Sequence, residues 1–239
     1  MKLSEKEYFN KISDGFDTKF NAYGQPAGNL RVQRRIALFA KHCNLRQGLK
    51  ILEIGCGTGQ YSQALVNCNS VLLATDLSFN MLIKAQMKLK KEKNIIFFVS
   101  DIEHLPILNN SCDVVLGNSV LHHLEIERAL KEIFRVMKPG ARFAFSEPNM
   151  LNPYVFLQKR IKFIKKLSGD SPKETAFWRW DIKQKFKNAG FRKVIVQPFD
   201  FLYPYTPACF IRLVDKMGMF LESTPLNEIA GSLLIMGEK

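Results

Sequence analysis

The residues most suited to chemistry begin at Ile51-Leu52-Glu53-Ile54-Gly55-Cys56-Gly57-Thr58-Gly59-Gln60, an apolar run followed by three glycines at every second position. The run reads as a buried strand, and a helix start follows the glycines. Glycines there let the backbone turn tightly and come close to a ligand, while a helix N-terminus favours an anionic group. A nicotinamide loop of the form G-x-G-x-x-G would need glycine at position 60, where Gln60 stands. Asp76 ends the next apolar run, twenty-one positions after Gly55. A carboxylate there can accept hydrogen bonds from both ribose hydroxyls of an adenosine, whichever cofactor carries it. Two of the four histidines, His122 and His123, lie side by side after a later strand, and the strand after that ends in Glu147. A carboxylate beside an imidazole raises its basicity and fixes its tautomer. The plainer reading is that one histidine packs and the other caps a turn. His42 and His104 read as structural.

To hold these groups together the chain needs a sheet. Between residues 50 and 147 short β-rich runs alternate with helical patterns, which predicts a parallel sheet with crossover helices. Lys50–Ile54, Val71–Thr75, Ile95–Val99, Asp113–Leu116 and Arg142–Ser146 read as strands, with helices at Gln60–Val66, Asn80–Lys91 and Ile126–Met137. A helix over Lys173–Asn188 and strands at Lys193–Gln197 and Ser232–Met236 complete an α/β fold with a seven-stranded, mostly parallel, doubly wound sheet. Residues 1–46 carry helical apolar spacing (Tyr8, Ile12, Phe16, Leu30, Ile36, Phe39) and are expected to form an N-terminal extension to a domain spanning 47–239. Insertions at about 148–172 and 199–228 fall outside the alternating core. In open α/β sheets the ligand sits beyond the carboxyl ends of the strands, so these three pieces are the expected lid.

Length and composition agree with one sizeable globular unit. The 239 residues are 46% hydrophobic and 24% charged, which excludes disorder and fibrous repeats. No apolar run approaches the ~18 residues of a membrane-spanning helix, and the N-terminus lacks the apolar core of a signal peptide. A cytoplasmic location is expected. Five scattered cysteines without a C-x-x-C pair argue against disulfides or zinc, and no metal site is expected. The net charge of +13 points to an anionic partner. Much of it is local, since Asn149 to Pro198 holds twelve Lys or Arg against three Asp or Glu.

The run Glu53-Ile54-Gly55-Cys56-Gly57-Thr58-Gly59 resembles the E-x-G-x-G-x-G first motif of the class I S-adenosylmethionine-dependent methyltransferases, and the resemblance continues motif by motif to about Asn149. It implies a Rossmann-like methyltransferase fold, S-adenosylmethionine as cofactor and S-adenosylhomocysteine as product. It further implies that Gly55, Cys56, Gly57, Thr58 and Gly59 wrap the methionine part, with Glu53 orienting it. Asp76 would hold the ribose, Asp101 the adenine amino group with Ile102 beside the ring, and Leu77 and Met81 the other face. Gly117-Asn118-Ser119-Val120-Leu121-His122-His123-Leu124 resembles the same region of the family's small-molecule and lipid branches, which adds Asn118 and Ser119 to the cofactor set. In related O-methyltransferases a histidine after strand four and an acid after strand five act as base and orienter, which would assign catalysis to His122, His123 and Glu147. The N-P-P-Y type sequence of nucleobase N-methyltransferases is absent, which argues against nucleic acid. An RNA or DNA methyltransferase stands as the alternative on the strength of the basic stretch, and a dehydrogenase fails at Gln60. A non-catalytic binding protein would be expected to have lost part of the glycine loop or Asp76, and both are present.

The expected acceptor is a small molecule or a lipid-like one, methylated on O or N. After Glu147, Asn152 and Pro153 predict a helix start. Phe156, Leu157, Ile161, Phe163, Ile164 and Leu167 share a face of that helix, Arg160 intrudes on it, and Lys159, Lys162, Lys165 and Lys166 lie opposite. Such a helix suits peripheral contact with an anionic membrane, or a lid with a solvated basic face. The aromatic and apolar residues Phe201, Tyr203, Tyr205, Phe210, Met217 and Met219 suit the lining of a bulky acceptor pocket, or plain core. The sequence carries no signal for oligomeric state.

Overall fold

The computed structural model describes residues 4–17, 24–161 and 174–239. Its centre is a seven-stranded sheet in the order β3-β2-β1-β4-β5-β7-β6. The strands are β1 (Lys50–Ile54), β2 (Val71–Asp76), β3 (Ile95–Val99), β4 (Cys112–Asn118), β5 (Met137–Pro148), β6 (Arg192–Phe199) and β7 (Ser232–Glu238). The pairs among β1 to β5 are parallel, while β7 runs antiparallel to both β5 and β6. The seven expected strands are all present.

The apolar strands are explained by burial on both faces, the usual state of a parallel sheet. Alternate residues serve opposite cores: Leu52, Val115, Phe143, Phe145 and Ile235 pack with one, while Ile51, Val114, Leu116, Ala144 and Leu234 pack with the other. On the first face lie α5 (Ile126–Val136) and α7 (Arg179–Asn188), through Leu130, Ile133, Ile182 and Phe186. On the second lie α2 (Pro26–Cys43) and α3 (Gln60–Leu65), through Phe39, Tyr61 and Leu65. The remaining α-helices among the described residues are α1 (Glu5–Ile12), α4 (Phe79–Lys88), α6 (Pro153–Arg160) and α8 (Ala208–Glu222).

Local chemistry sets their starts. Ser4 and Glu7 form a reciprocal capping box on α1, Ser78 accepts from the Met81 N–H at α4, and Asn152 caps α6 ahead of Pro153. Two boundaries differ from the sequence expectation by five residues or more. The helix expected from Lys173 starts at Arg179, because Phe177 pairs instead with the end of β5: its N–H donates to Pro148 O and its carbonyl accepts from Met150 N–H. Lys173 itself lies outside the described residues, as do Lys162, Phe163, Ile164, Lys165, Lys166 and Leu167 of the expected basic helix. Strand β5 begins at Met137 rather than Arg142, continuing through Pro139 and Gly140, where Gly140 takes φ +76°.

The faces expected on α6 are not those observed. Val155 is its buried residue, while Phe156, Leu157 and Ile161 are exposed. Lys159 turns inward, its ammonium 2.5 Å from Glu174, so it belongs to no solvated face.

Candidate active site

The carboxyl ends of β1, β2 and β4 open into one cavity of about 950 Å³, at the upper end of small-molecule sites. The glycine loop forms one wall. Gly55, Gly57 and Gly59 have φ of +65°, +52° and +79°, a backbone state that side chains resist. At Gly55 a Cβ would also meet Val120 Cγ2 at 2.4 Å. Asp76 fastens this loop to the next, since its carboxylate accepts from the Gly57 N–H (2.8 Å) and the Ser78 N–H (2.9 Å). Burial raises its pKa against the pull of these amides.

Of the sequence-predicted residues, Gly55, Cys56, Gly57, Thr58, Asp76, Leu77, Met81, Ile102, Asn118, Ser119, His122 and His123 line the cavity. Glu53, Gly59, Asp101 and Glu147 do not. Gly59 is the N-cap of α3. Glu53 is buried beneath the loop, where the Ser62 hydroxyl donates to it (2.5 Å), and burial pushes its pKa up to about 8. Asp101 is exposed and caps a 3₁₀ turn by accepting from the Glu103 N–H (2.9 Å). Asn118 Oδ1 is buried and meets no hydrogen-bond partner among the described residues, an acceptor suited to an ammonium group at the cavity wall.

The histidines sit on the 3₁₀ turn Leu121–His123 after β4. Glu147 Oε1 accepts from the Val120 (3.0 Å) and Leu121 (2.9 Å) N–H groups, and its Oε2 lies 2.6 Å from His122 Nδ1. The carboxylate therefore fixes both the turn and the ring. His122 Nε2 lies 3.6 Å from Glu174, which is also held by Lys159. Burial alone would lower the His122 pKa; the charges and hydrogen bonds of Glu147 and Glu174 overcome it and raise the value to about 9. Burial likewise opposes ionisation of Glu174, but His122 and Lys159 bring its pKa well below the carboxylate range. His123 is lowered, by burial and by the charge of His122, and its Nδ1 lies 3.3 Å from Glu5 on α1. His122, His123 and Glu174 offer ligand atoms within 4.8 Å of one another. A cation there would compete with Lys159 for Glu174.

Because the folded His122 pKa lies above the unfolded value of about 6.5, its ion pairs contribute full stability below that pH and lose it as pH rises through about 9. We expect the stability difference between the wild type and His122→Gln, from urea unfolding, to shrink over that window. A pH-independent difference would show that the ring is neutral.

Sequence reading missed Glu174, Lys159, Asp17 and a charged knot on the cavity's far side. Asp17 accepts from the Thr58 hydroxyl and the Gln60 amide, placing the N-terminal segment over the glycine loop. In the knot, Asp200 receives Arg31 (2.8 Å) and Arg35 (2.6 Å), and Arg35 also donates to Ser146 and Ser232. Asp200, at φ +72°, follows β6 directly. That position after a strand, shared with Asp76 at the end of β2, was the one available signal. All three expected lid pieces contribute walls, Phe9 and Arg31 from the first, Val155 and Lys159 from the second, Phe201, Tyr203 and Tyr205 from the third. Phe210, Met217 and Met219, expected in a pocket or core, are exposed because they lie on the outer side of α8.

Comparison with known proteins agrees with this geometry. Residues 52–145 match the methyltransferase domain family. The chain is 31% identical to the demethylmenaquinone methyltransferase of Lactococcus lactis over 227 residues, covering 80% of this chain and 83% of the relative. It is 30% identical over 145 residues to the malonyl-[acyl-carrier protein] O-methyltransferase of Pectobacterium atrosepticum, covering 59% of this chain and about half, 54%, of that relative. A solved S-adenosylmethionine-dependent methyltransferase of Thermotoga maritima superposes with a TM-score of 0.71 at 18% identity, over 97% of this chain and 98% of that one. With its glycine loop, its sheet order and a relative matched over most of both lengths, this chain belongs to the class I S-adenosylmethionine-dependent methyltransferases.

Proposed function

We propose that the protein methylates a hydroxyl of a small-molecule or lipid-like acceptor, with His122 as the base and Glu147 as its positioning partner. The observation that carries this is the Glu147–His122 pair at 2.6 Å, with His122 lining the same cavity as the glycine loop and Asp76. The relatives named for demethylmenaquinone and malonyl-[acyl-carrier protein] support the acceptor class.

When bound, S-adenosylmethionine supplies an electrophilic methyl on a sulfonium. The residues present fit it. Gly55, Cys56, Gly57 and Thr58 would cradle the methionine part, with Gly59 starting α3 behind them and Glu53 bracing the loop through Ser62. Asn118 Oδ1 and Ser119 receive its ammonium. Asp76 takes the ribose, whose hydroxyls can use the carboxylate's remaining lone pairs. Leu77, Met81 and Ile102 would pack the adenine, and Asp101, which precedes Ile102 but stands outside the cavity lining, would take its amino group.

Methyl transfer is an in-line displacement, so most of the protein's work is orienting the nucleophile. His122 Nε2 takes the hydroxyl proton, and Glu147 holds Nδ1 so that Nε2 is the basic nitrogen. Glu174 stabilises the imidazolium that results. His123, kept neutral by its surroundings, walls the acceptor side. The setting is the cytoplasm, with peripheral contact to an anionic membrane through the cap and its basic residues.

The test is to incubate the protein with methyl-labelled cofactor and a cell extract split into aqueous, lipid and nucleic-acid fractions. Label in a hydroxyl-derived small molecule or lipid supports the reading, and label confined to nucleic acid overturns it. Asp76→Ala should weaken cofactor binding by about 1 to 3 kcal/mol, because two ribose hydroxyls lose their partner in a partly buried site. Calorimetry with S-adenosylhomocysteine showing unchanged affinity would remove Asp76 from the role.

A further inference from the structure

The outward side of α8 has no part in the cavity, yet it is strongly patterned. Its inward residues, Ile211, Val214, Asp215, Gly218, Leu221 and Glu222, pack toward the protein. Gly218 lets the helix lie flat, since a Cβ there would meet Phe201 Cβ at 3.2 Å. Phe210, Leu213, Met217 and Phe220 are 55%, 57%, 56% and 69% exposed. Their spacing of 0, 3, 7 and 10 aligns them in one stripe along roughly 15 Å of helix.

Charge on this helix is sorted as well. Its two acids, Asp215 and Glu222, turn inward to Arg34 at 3.1 and 2.8 Å. Its two bases, Arg212 and Lys216, are exposed. The outer side therefore presents an apolar stripe with cations along one edge and no acid of the helix. The segment leading into α8 carries Tyr203 and Tyr205, both half-exposed and both lining the cavity. Tyrosine, apolar in its ring and polar at its tip, suits the headgroup level of a bilayer.

We propose that α8 docks on an anionic lipid surface, with Phe210, Leu213, Met217 and Phe220 entering the headgroup–acyl boundary and Arg212 and Lys216 meeting lipid phosphates. This deepens the membrane contact of the proposed function and rests on that reading for lipid as the partner. A second copy fits the face less well. A two-fold contact sets this patch against itself and offers Arg212 and Lys216 no acid of the helix, since Asp215 and Glu222 turn inward. Four side chains are also far fewer than the 20 to 30 residues a side of a stable protein interface. An interfacial helix requires only an apolar face and basic flanks. Docked this way, the helix sets the tyrosine rim of the cavity beside the bilayer, where an acceptor with an apolar tail resides.

The experiment is co-sedimentation of the full chain with vesicles of phosphatidylcholine alone or with about 30% phosphatidylglycerol, at low and high salt. The wild type should bind the anionic vesicles and be released by salt. Leu213→Gln with Phe220→Gln should weaken binding at least about tenfold, and Arg212→Gln with Lys216→Gln about tenfold at low salt. Each variant should keep its S-adenosylhomocysteine affinity, which shows that it is folded. In a Cys68→Ser background, an environment-sensitive dye on the exposed Cys209 should shift to the blue on anionic vesicles. Wild type that binds neither vesicle overturns the docking and the membrane setting together. Binding kept by the Leu213/Phe220 variant overturns α8 alone and leaves the membrane setting standing. Concentration-dependent dimers in sedimentation that this variant abolishes would assign the stripe to a second copy and overturn the lipid assignment. Methylation of a water-soluble acceptor by a protein that still binds vesicles through α8 would count against the lipid acceptor and leave the docking intact.

Discussion

Replacing His122 with glutamine is expected to lower turnover by about 10²-fold or more while leaving cofactor affinity nearly unchanged. The two readouts separate because His122 touches the acceptor side of the cavity, whereas the glycine loop and Asp76 form the other wall. Wild-type kcat/KM, which reports the free enzyme, should rise with pH along an acidic limb that extends toward 9, since the imidazolium must lose its proton before it can act as a base and Glu147 and Glu174 resist that loss. In kcat, measured with the cofactor in place, a cationic neighbour disfavours the imidazolium, and the limb should move to lower pH. The glutamine variant should show no such limb. Normal turnover in it would mean that the acceptor needs no base, as an amine would not. Glu147→Gln should lower turnover too, with a further loss of stability, because the same carboxylate also accepts two backbone N–H groups of the histidine turn.

Asp200→Ala should lower unfolding free energy by about 3 to 5 kcal/mol, the range for breaking a buried ion pair from one side. The loss comes from what is left behind. Arg35 is 4% exposed, with Phe199 beneath its guanidinium and with Ser146, Ser232 and the Arg31 carbonyl among its other partners, and neutral acceptors do not replace a carboxylate. Arg31 loses the same partner. The backbone adds to the effect, because alanine tolerates φ +72° worse than aspartate does. Burial would raise the Asp200 pKa, but Arg35 and Arg31 outweigh it and bring the value down to about 2. The contribution is therefore complete above the unfolded value of about 3.9 and disappears as pH falls through about 2. Urea unfolding near neutrality measures the loss, and a change below about 1 kcal/mol would show that water reaches the arginines. Asp200→Asn, which keeps the shape and the tolerance of positive φ, isolates the charge.

The sheet was readable because its strands are buried on both faces: Ile51, Leu52 and Ile54 are fully buried, and the run is broken only by Glu53, itself buried. The cofactor wall was readable for a related reason. Its residues are contiguous or end strands, and Gly55, Gly57 and Gly59 are needed by backbone geometry alone. The rest of the site is assembled across long separations. Nothing local to Glu174 indicates that it will reach His122, fifty-two positions earlier, and nothing local to Asp200 indicates Arg31 and Arg35. Lys159 looked solvated because helical periodicity assigns a side chain to a face without knowing which face is covered, and here Glu174 draws the ammonium inward. Local patterning predicts helix over 174–178, whereas the β-bridge of Phe177 depends on the end of β5, not on its own neighbours.

The antiparallel strand has a consequence for how the molecule is made. In sequence β6 precedes β7, but in the sheet β7 lies between β5 and β6, and among the described residues β6 pairs with no other strand. Synthesis delivers Arg192–Phe199 some thirty residues before the strand it pairs with. Until residues 232–238 emerge, β5 has one open edge and β6 has no sheet at all, so the two cannot assemble in the order in which they are translated. Unpaired edges of this kind invite contacts with other chains. Arg192 and Lys193 at the start of β6 and Asp200 just after its end place charge at both ends of an apolar strand that must wait for its partner, the kind of charge that discourages edge-to-edge contacts.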